Sequence, residues 1–350
     1  MVTLEFILDG PYTSACLHPI PHTISPYSHM MESCSDSTPV SPPFNDPDAD
    51  LIIRTSDGVD FRVYKLIMKQ ASPVFREMFT FPRGSQLNNS VVEVAERSRV
   101  WDYILRMLYP VGRAPSAPDP ADYWPLLEAA KKYDMAGVRE AVKHAMMVPA
   151  VLKTDALMTY ALACVYGLPD AARAAAKASF QPWPGDGRPP LCIPEMQCMA
   201  VMAYHRLSRY RWACVEAATA CAESSDLFRS ETRWNGKSNV IHWPEWITAL
   251  QKSTKCGARC PPSRAHKDSG LRAYIDDYID RSIKSLRVEP SGQVVATTDA
   301  IGPILKAANV CFDCSQKIGS DAIVRFANVY AQRIDAAVAM VTLEFRLDGP

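Results

Sequence analysis

The stretch DADLIIRTSDGVDFRVYKLIMKQASPVFREMF, which begins at Asp48 and ends at Phe79, constrains this chain most, because its hydrophobic period changes along it. Leu51, Ile52 and Ile53 form a continuous apolar run, as expected for a strand covered on both faces. Ser56-Asp57-Gly58 supplies a turn, with Asp-Gly suited to the positive φ values of a tight hairpin. Val59, Phe61 and Val63 then alternate with Asp60, Arg62 and Tyr64, a period of two that buries one face. From Lys65 the spacing becomes helical, with Leu66, Ile67 and Ala71 suiting one face of a short helix. Ser72-Pro73 predicts an N-cap followed by proline at the first helical position. Val74, Phe75, Met78 and Phe79 give the apolar face of a second helix. The segment contains no recognisable catalytic constellation and reads as an interaction module.

Further elements follow in order. Val91, Val92 and Val94 predict a third strand. Ser98 is the expected cap of a helix carrying Val100, Ile104, Leu105 and Leu108 at helical spacing. From Tyr123 to Met147 the chain YWPLLEAAKKYDMAGVREAVKHAMM predicts a helical pair broken near Asp134 to Gly137. This order, with Asp50 before the first strand, DFRVYKLIM, ASPVFREMF and LLEAAKKYDM, resembles a BTB/POZ domain. Tyr64 stands where that family carries histidine in its F-x-x-H-K step; the family's histidine is structural, so a change of packing or interface detail is expected. With the helical region behind it, the chain is similar to the BTB proteins expanded in mushroom-forming fungi. The expected fold class is α+β: a BTB/POZ-like domain, with a short β-sheet flanked by helices, followed by a mainly α-helical domain.

A length of 350 residues suggests roughly two domains. Residues 1–47, rich in Pro and Ser, are expected to form a disordered arm. Residues 48–150 form the interaction domain, 151–340 a helical, BACK-like region and 341–350 a strand or tail. The helices expected beyond residue 150 are Asp155 to Tyr166, Pro169 to Phe180, Pro194 to Ser208 and Tyr210 to Glu223. Residues 1–11, MVTLEFILDGP, match residues 340–350, MVTLEFRLDGP, except that Ile7 stands against Arg346. Two strands able to pair are one reading; the preferred one is the tail of a tandem duplicate joined by a wrongly placed gene start.

Lysine plus arginine number 38, as do aspartate plus glutamate, so no global field draws the chain to nucleic acid or an anionic membrane. No run reaches the roughly 18 apolar residues of a membrane span, and the amino terminus lacks the order of a signal peptide. Several of the 11 cysteines, such as Cys164, Cys214 and Cys221, fall in helical apolar patterns, which suits a reducing, intracellular compartment, cytoplasmic or nuclear.

Four constellations are tested for chemistry. Cys256 and Cys260 with His242 and His266 are acceptable zinc ligand types, but the irregular second pair favours a loop with two thiols. Cys311-Phe-Asp-Cys314 is a lone C-x2-C, read as Cys311 packing and Cys314 facing a neighbouring turn. His205 to Trp212 interleaves basic and aromatic residues in the manner of a nucleic-acid surface, while Leu207, Tyr210 and Cys214 suit core positions. Asp276, Asp277 and Asp280 read as a solvated helix face, with Arg281 supporting Asp277 at i, i+4. Trp234, Trp243 and Trp246 suit either a core or a partner anchor.

No cofactor, metal or catalytic residue is expected, and the chain reads as a non-enzymatic protein–protein interaction protein. The resemblance implies a homodimer or oligomer formed through the BTB-like domain, or adaptor work in which that domain holds a cullin scaffold for ubiquitin transfer. The alternative is a transcriptional or chromatin-associated regulator that self-associates. Interaction candidates are Asp50, Tyr64, Phe75, Met78, Phe79 and Phe81. Cullin-binding members carry a hydrophobic-x-Glu motif shortly after the second helix; here no glutamate follows Met78-Phe79 before Glu93.

Overall fold

In the computed structural model, residues 38–39, 42–80, 90–110, 117–180, 193–224, 273–317 and 320–345 are described. They fall into two compact units, with the division inside one helix at Ala175/Ala176. The boundary expected at residue 150 therefore shifts: the helices immediately after it group with the first unit, because they pack as its continuation.

The first unit is built on a sheet of four short strands, β1 (Thr38–Pro39), β2 (Leu51–Arg54), β3 (Val59–Val63) and β4 (Ser90–Glu93), in the order β1-β3-β2-β4. β2 and β3 are an antiparallel hairpin with Ile53 opposite Phe61, while β4 runs parallel to β2 with Ile53 opposite Val92. A parallel neighbour requires a crossover, which α1 (Lys65–Ala71) and α2 (Pro73–Met78) supply. The Arg54 guanidinium makes a two-pronged ion pair with Asp60 directly across the hairpin, at 2.8 and 2.9 Å.

Local chemistry sets these elements, with several departures from expectation. In the hairpin turn only Gly58 takes positive φ, at 77°; Asp57 does not. Gly58 N–H donates to the Thr55 carbonyl at 2.9 Å, and Asp57 spends its carboxylate elsewhere. β2 is buried at Leu51 and Ile53 but only partly at Ile52, so its second face is half covered. In α1 the buried residue is Met68, and Leu66 is 67% exposed; two turns are too short for spacing alone to choose a face. Ser72 caps α2 as expected, its Oγ accepting from Phe75 N–H at 3.1 Å with Pro73 at the first position.

The expected arm also shortens. β1 pairs with β3, and Phe44 is fully buried, with its ring edge-on to Phe61 at 5.9 Å and Tyr109 at 5.5 Å. Phe44 is isolated in sequence among polar and proline residues, so no periodicity announced it. Residues 1–37 lie outside the described residues.

Helix α3 (Ser98–Leu108) buries Val100, Trp101, Ile104 and Leu105. Ser98 is its first residue and not its cap. Its N–H instead donates to Asp57 Oδ1 at 2.9 Å and its hydroxyl to Oδ2 at 2.6 Å, so the hairpin turn caps the helix across tertiary space. A 3-10 turn leads into α4 (Tyr123–Lys132), followed by α5 (Ala136–Met146), α6 (Pro149–Val165) and α7 (Pro169–Ala178). α6 starts earlier than expected and is interrupted at Asp155, where φ is −127°. No single helix among the described residues is long and apolar enough to cross a membrane.

The second unit is helical: α8 (Val201–Glu223), α9 (Ala273–Val288), α10 (Thr298–Val310), α11 (Phe312–Lys317) and α12 (Ser320–Ala339). The break expected between Ser208 and Tyr210 is absent, since neither Gly nor Pro interrupts α8; Pro194–Cys198, expected in that helix, is a separate 3-10 turn of the first unit. Tyr278, Phe326 and Tyr330 form its aromatic centre, with ring centroids 5.6 to 5.8 Å apart. Residues 341–345 form no strand; Leu343 is buried there. The matching residues 1–11 lie outside the described residues.

Two predictions follow from these contacts. Burial raises the Asp57 pKa, but hydrogen bonds from Ser98 and Thr55 outweigh it and hold the carboxyl at about 2. A depressed folded-state pKa stabilises above the unfolded value near 3.8 and is lost as pH falls through about 2. Urea unfolding of wild type against Asp57→Asn therefore gives a gap that is constant above about pH 5 and closes toward pH 2. Because Asp57 is solvent-exposed, the gap is about 1 kcal/mol at most. In the second unit a Cβ on Gly292 would lie 2.1 Å from the Ala331 carbonyl oxygen, and Gly292 N–H donates to Asp335 Oδ1 at 2.7 Å. Gly292→Ala is expected to cost about 3 kcal/mol, against about 1 kcal/mol for Asp335→Ala, both read by urea unfolding.

Candidate partner-docking surfaces

The six residues singled out from the sequence divide by role. Phe75 is fully buried and belongs to the core: it packs on Trp101 at 6.0 Å and on Tyr133 at 5.2 Å. Asp50 is exposed, and its Oδ1 accepts from Lys65 N–H at 2.7 Å, pinning the first turn of α1. Tyr64 is also held locally, its N–H donating to the Tyr109 hydroxyl at 2.7 Å and its own hydroxyl to Asp46. The Asp46 bond pushes the Tyr64 pKa up to about 12 and lowers that of Asp46. Met78 and Phe79 are half-buried, with Lys69 Nζ 5.9 Å above the Phe79 ring. Phe81 lies outside the described residues.

Two surfaces stand out, one around residues the sequence pointed to and one it did not reveal. The α1–α2 pair presents Leu66 in addition to Met78 and Phe79, and β4 presents Val91, 43% exposed, on a strand with no partner on its outer edge among the described residues. The second is a cleft of about 330 Å³ bounded by the α4–α5 turn and the end of α6. Leu127, Met135 and Val165 give it apolar floor; Lys131, Asp134 and Arg139 stand on its rim. Both bounding turns close with a left-handed residue. Asp134 has φ 50° and is followed by Met135 N–H donating to Ala130 O at 2.8 Å; Gly167 has φ 66° and is followed by Leu168 N–H donating to Ala163 O at 2.8 Å. These bonds satisfy the last carbonyls of each helix. Tyr166, on the cleft wall, donates its hydroxyl to Glu128, and burial pushes its pKa far up, so it stays a neutral phenol.

Among the described residues the constellations weighed for chemistry do not assemble into a site. Among the described residues no three His, Cys, Asp or Glu side chains are placed to hold a metal ion. Cys256, Cys260, His242 and His266 lie outside the described residues, as do Trp234, Trp243 and Trp246. Cys311 and Cys314 are both buried, so Cys314 packs as Cys311 does. Arg281 Nε donates to the Asp277 backbone carbonyl at 3.1 Å, not to its carboxylate. In the basic-aromatic segment Leu207 and Cys214 are buried, and Arg211 is engaged, donating to the carbonyls of Ser179 at 3.1 Å and Val288 at 2.8 Å.

A hairpin, a helical crossover, a parallel third strand and a closing helical pair define an interaction fold, and residues 44–148 match the family model of the BTB/POZ domain. The chain thus carries a BTB/POZ domain, a protein-interaction domain that mediates oligomerisation, ahead of its mainly helical region. No curated protein matches the chain.

Alanine at Phe75 and at Phe79 separates core from surface. Phe75→Ala is expected to cost about 4 kcal/mol of stability, whereas Phe79→Ala leaves a folded protein with a loss of about 1 kcal/mol. Thermal and urea unfolding of the two variants measures the contrast.

Proposed function

We propose that the chain is a non-enzymatic, intracellular interaction protein that self-associates through its BTB/POZ domain and presents a second docking surface to a partner, a cullin scaffold being the candidate the family resemblance supplies. The carrying observation is apolar side chain left in water on the domain: Leu66 on α1 and Val91 on the edge strand β4. A single exposed apolar residue means little, but such residues on a helix pair and an open strand edge provide anchors for burial against another protein. An interface of about 1,600 Å² takes in 20–30 residues per side, of which a few anchors dominate.

Two features support a partner contact beyond self-association, and the cullin as its source rests on the family resemblance. The cleft at the α4–α5 turn offers a concave surface distinct from the α1–α2 pair. The helices α6 and α7 extend the first unit, so the domain carries a helical continuation suited to widening a partner contact. Met78 and Phe79 sit half-exposed at the end of α2 without the glutamate motif, which counts against a cullin contact there. An intracellular setting agrees with cysteines used as packing groups: burial raises the thiol pKa of Cys214 and Cys221, keeping them protonated and unreactive.

Light scattering on the full chain, alone and with the amino-terminal domain of a BTB-binding cullin, tests both parts. The expected result is a mass near twice 38.8 kDa and a further step on adding the cullin. Leu66→Asp with Val91→Asp is expected to weaken self-association at least tenfold, about 1.4 kcal/mol. A monomer that ignores the cullin overturns the proposal.

A further inference from the structure

The docking reading leaves open what the cleft at the α4–α5 turn accepts, and its charges answer that. The cations of this helix pair are mostly spent: Lys132 Nζ is 3.1 Å from Glu96, and Lys143 Nζ is 2.5 Å from Glu140. Lys131 and Arg139 are the exceptions. Both are exposed, both line the cleft, and neither is within ion-pair distance of a carboxylate among the described residues. Glu140, the acid nearest Arg139 in sequence, is ion-paired with Lys143 and feels Arg139 only through space, beyond ion-pair distance. Against these two positive charges the rim offers one negative charge, Asp134. The negative ends of α4 and α6, each about half a charge, offset part of the excess, while the first turn of α5 adds back about half a positive charge. The helix carbonyls at both turns are already bonded, so the cleft has little use for a donor-rich guest. Its floor of Leu127, Met135 and Val165 asks for an apolar side chain. The first turn of α5, which no side chain caps, opens on the same space.

We propose that this cleft binds an acidic peptide segment of a partner protein, one apolar side chain filling the floor and flanking carboxylates reaching Lys131 and Arg139. The inference rests on the docking function above and specifies the chemistry of its second surface. Carboxylate–guanidinium pairing suits Arg139 in particular, since its planar fork can hold both carboxylate oxygens. The size also fits: about 330 Å³ takes one large side chain and its neighbours but not a folded helix end.

The test is an array of random octapeptides probed with the full chain, wild type against Lys131→Glu/Arg139→Glu. Wild type is expected to retain peptides enriched in Asp and Glu around a Leu, Ile or Phe, with retention falling roughly tenfold when salt is raised to screen exposed pairs. The double variant is expected to lose them at least tenfold; both positions are solvent-exposed, and circular dichroism verifies that its helices are intact. Captured peptides that lack acidic enrichment, or identical capture by the two proteins, overturn the inference. Equal charge-dependent retention of a short RNA overturns it in favour of a general polyanion surface. Light scattering on wild type separates the two levels: self-association without acidic selection sinks only this inference, and a failure to self-associate sinks the reading beneath it.

Discussion

Tyr133 is the residue on which the first unit depends. Its ring packs against Phe75 of α2 at 5.2 Å and Trp101 of α3 at 5.3 Å, so three elements share one aromatic cluster. Its hydroxyl donates to Glu96 at 2.8 Å, and the Trp101 indole N–H reaches the same carboxylate oxygen at 3.3 Å. Its backbone carbonyl, one of those α4 leaves unmade at its end, accepts from the Ser72 hydroxyl. Burial foremost, and then the Glu96 charge, push its pKa far up, so the phenol stays neutral and remains a donor. Ser72 thereby serves two helices: it caps the start of α2 and closes the end of α4. The next residue is Asp134 in left-handed conformation, so the turn that walls the cleft is anchored by the same cluster that forms the core. A docking surface built on such a turn is rigid before a partner arrives, which reduces the ordering cost of binding.

What the sequence revealed, and what it concealed, follows from the range of the interactions. The hairpin, the Ser72-Pro73 start of α2 and the helical pair broken at Asp134 are decided by neighbours within a few residues, and all were legible. Phe44 was not, because its burial depends on Phe61 and Tyr109, reached only after the chain folds back. Ser98 reads as a cap from its residue type, yet the carboxylate that serves the helix start is Asp57, 41 residues earlier. Leu66 and Met68 differ by two positions on a helix of two turns, so composition could not tell which faces the core. The cleft was illegible because Lys131 on α4, Arg139 on α5 and Gly167 in the turn after α6 meet only through tertiary packing.

Arg211 shows the same economy of polar groups in the second unit. Read as sequence, it belongs to a basic-aromatic string of the kind that contacts nucleic acid. In the fold its guanidinium donates to the carbonyls of Ser179 and Val288, the latter at the end of α9. Those are orphan acceptors of helix ends, and a cation there also complements the helix dipole. Trp212, one residue on, is rotated by about a quarter turn or slightly more and is 66% exposed. Alternating residue types along α8 thus mark alternating duties, one side chain holding helix ends together and the next left in water.

The distribution of exposed apolar residues on the first unit bears on how one domain can serve two partners. Leu66 lies on α1 and Val91 on the edge of β4, while the cleft is framed by α4, α5 and α6. Different elements carry the two surfaces, so burying one need not consume the other. Their chemistry also differs: the first is apolar and suits a like surface, whereas the second carries an excess of positive charge. A chain whose formal charges cancel overall has no global field to steer it, so on the proposed reading the local imbalance at Lys131 and Arg139 is what would discriminate. On that reading apolar burial would contribute affinity at the self-associating face and charge placement selectivity at the cleft.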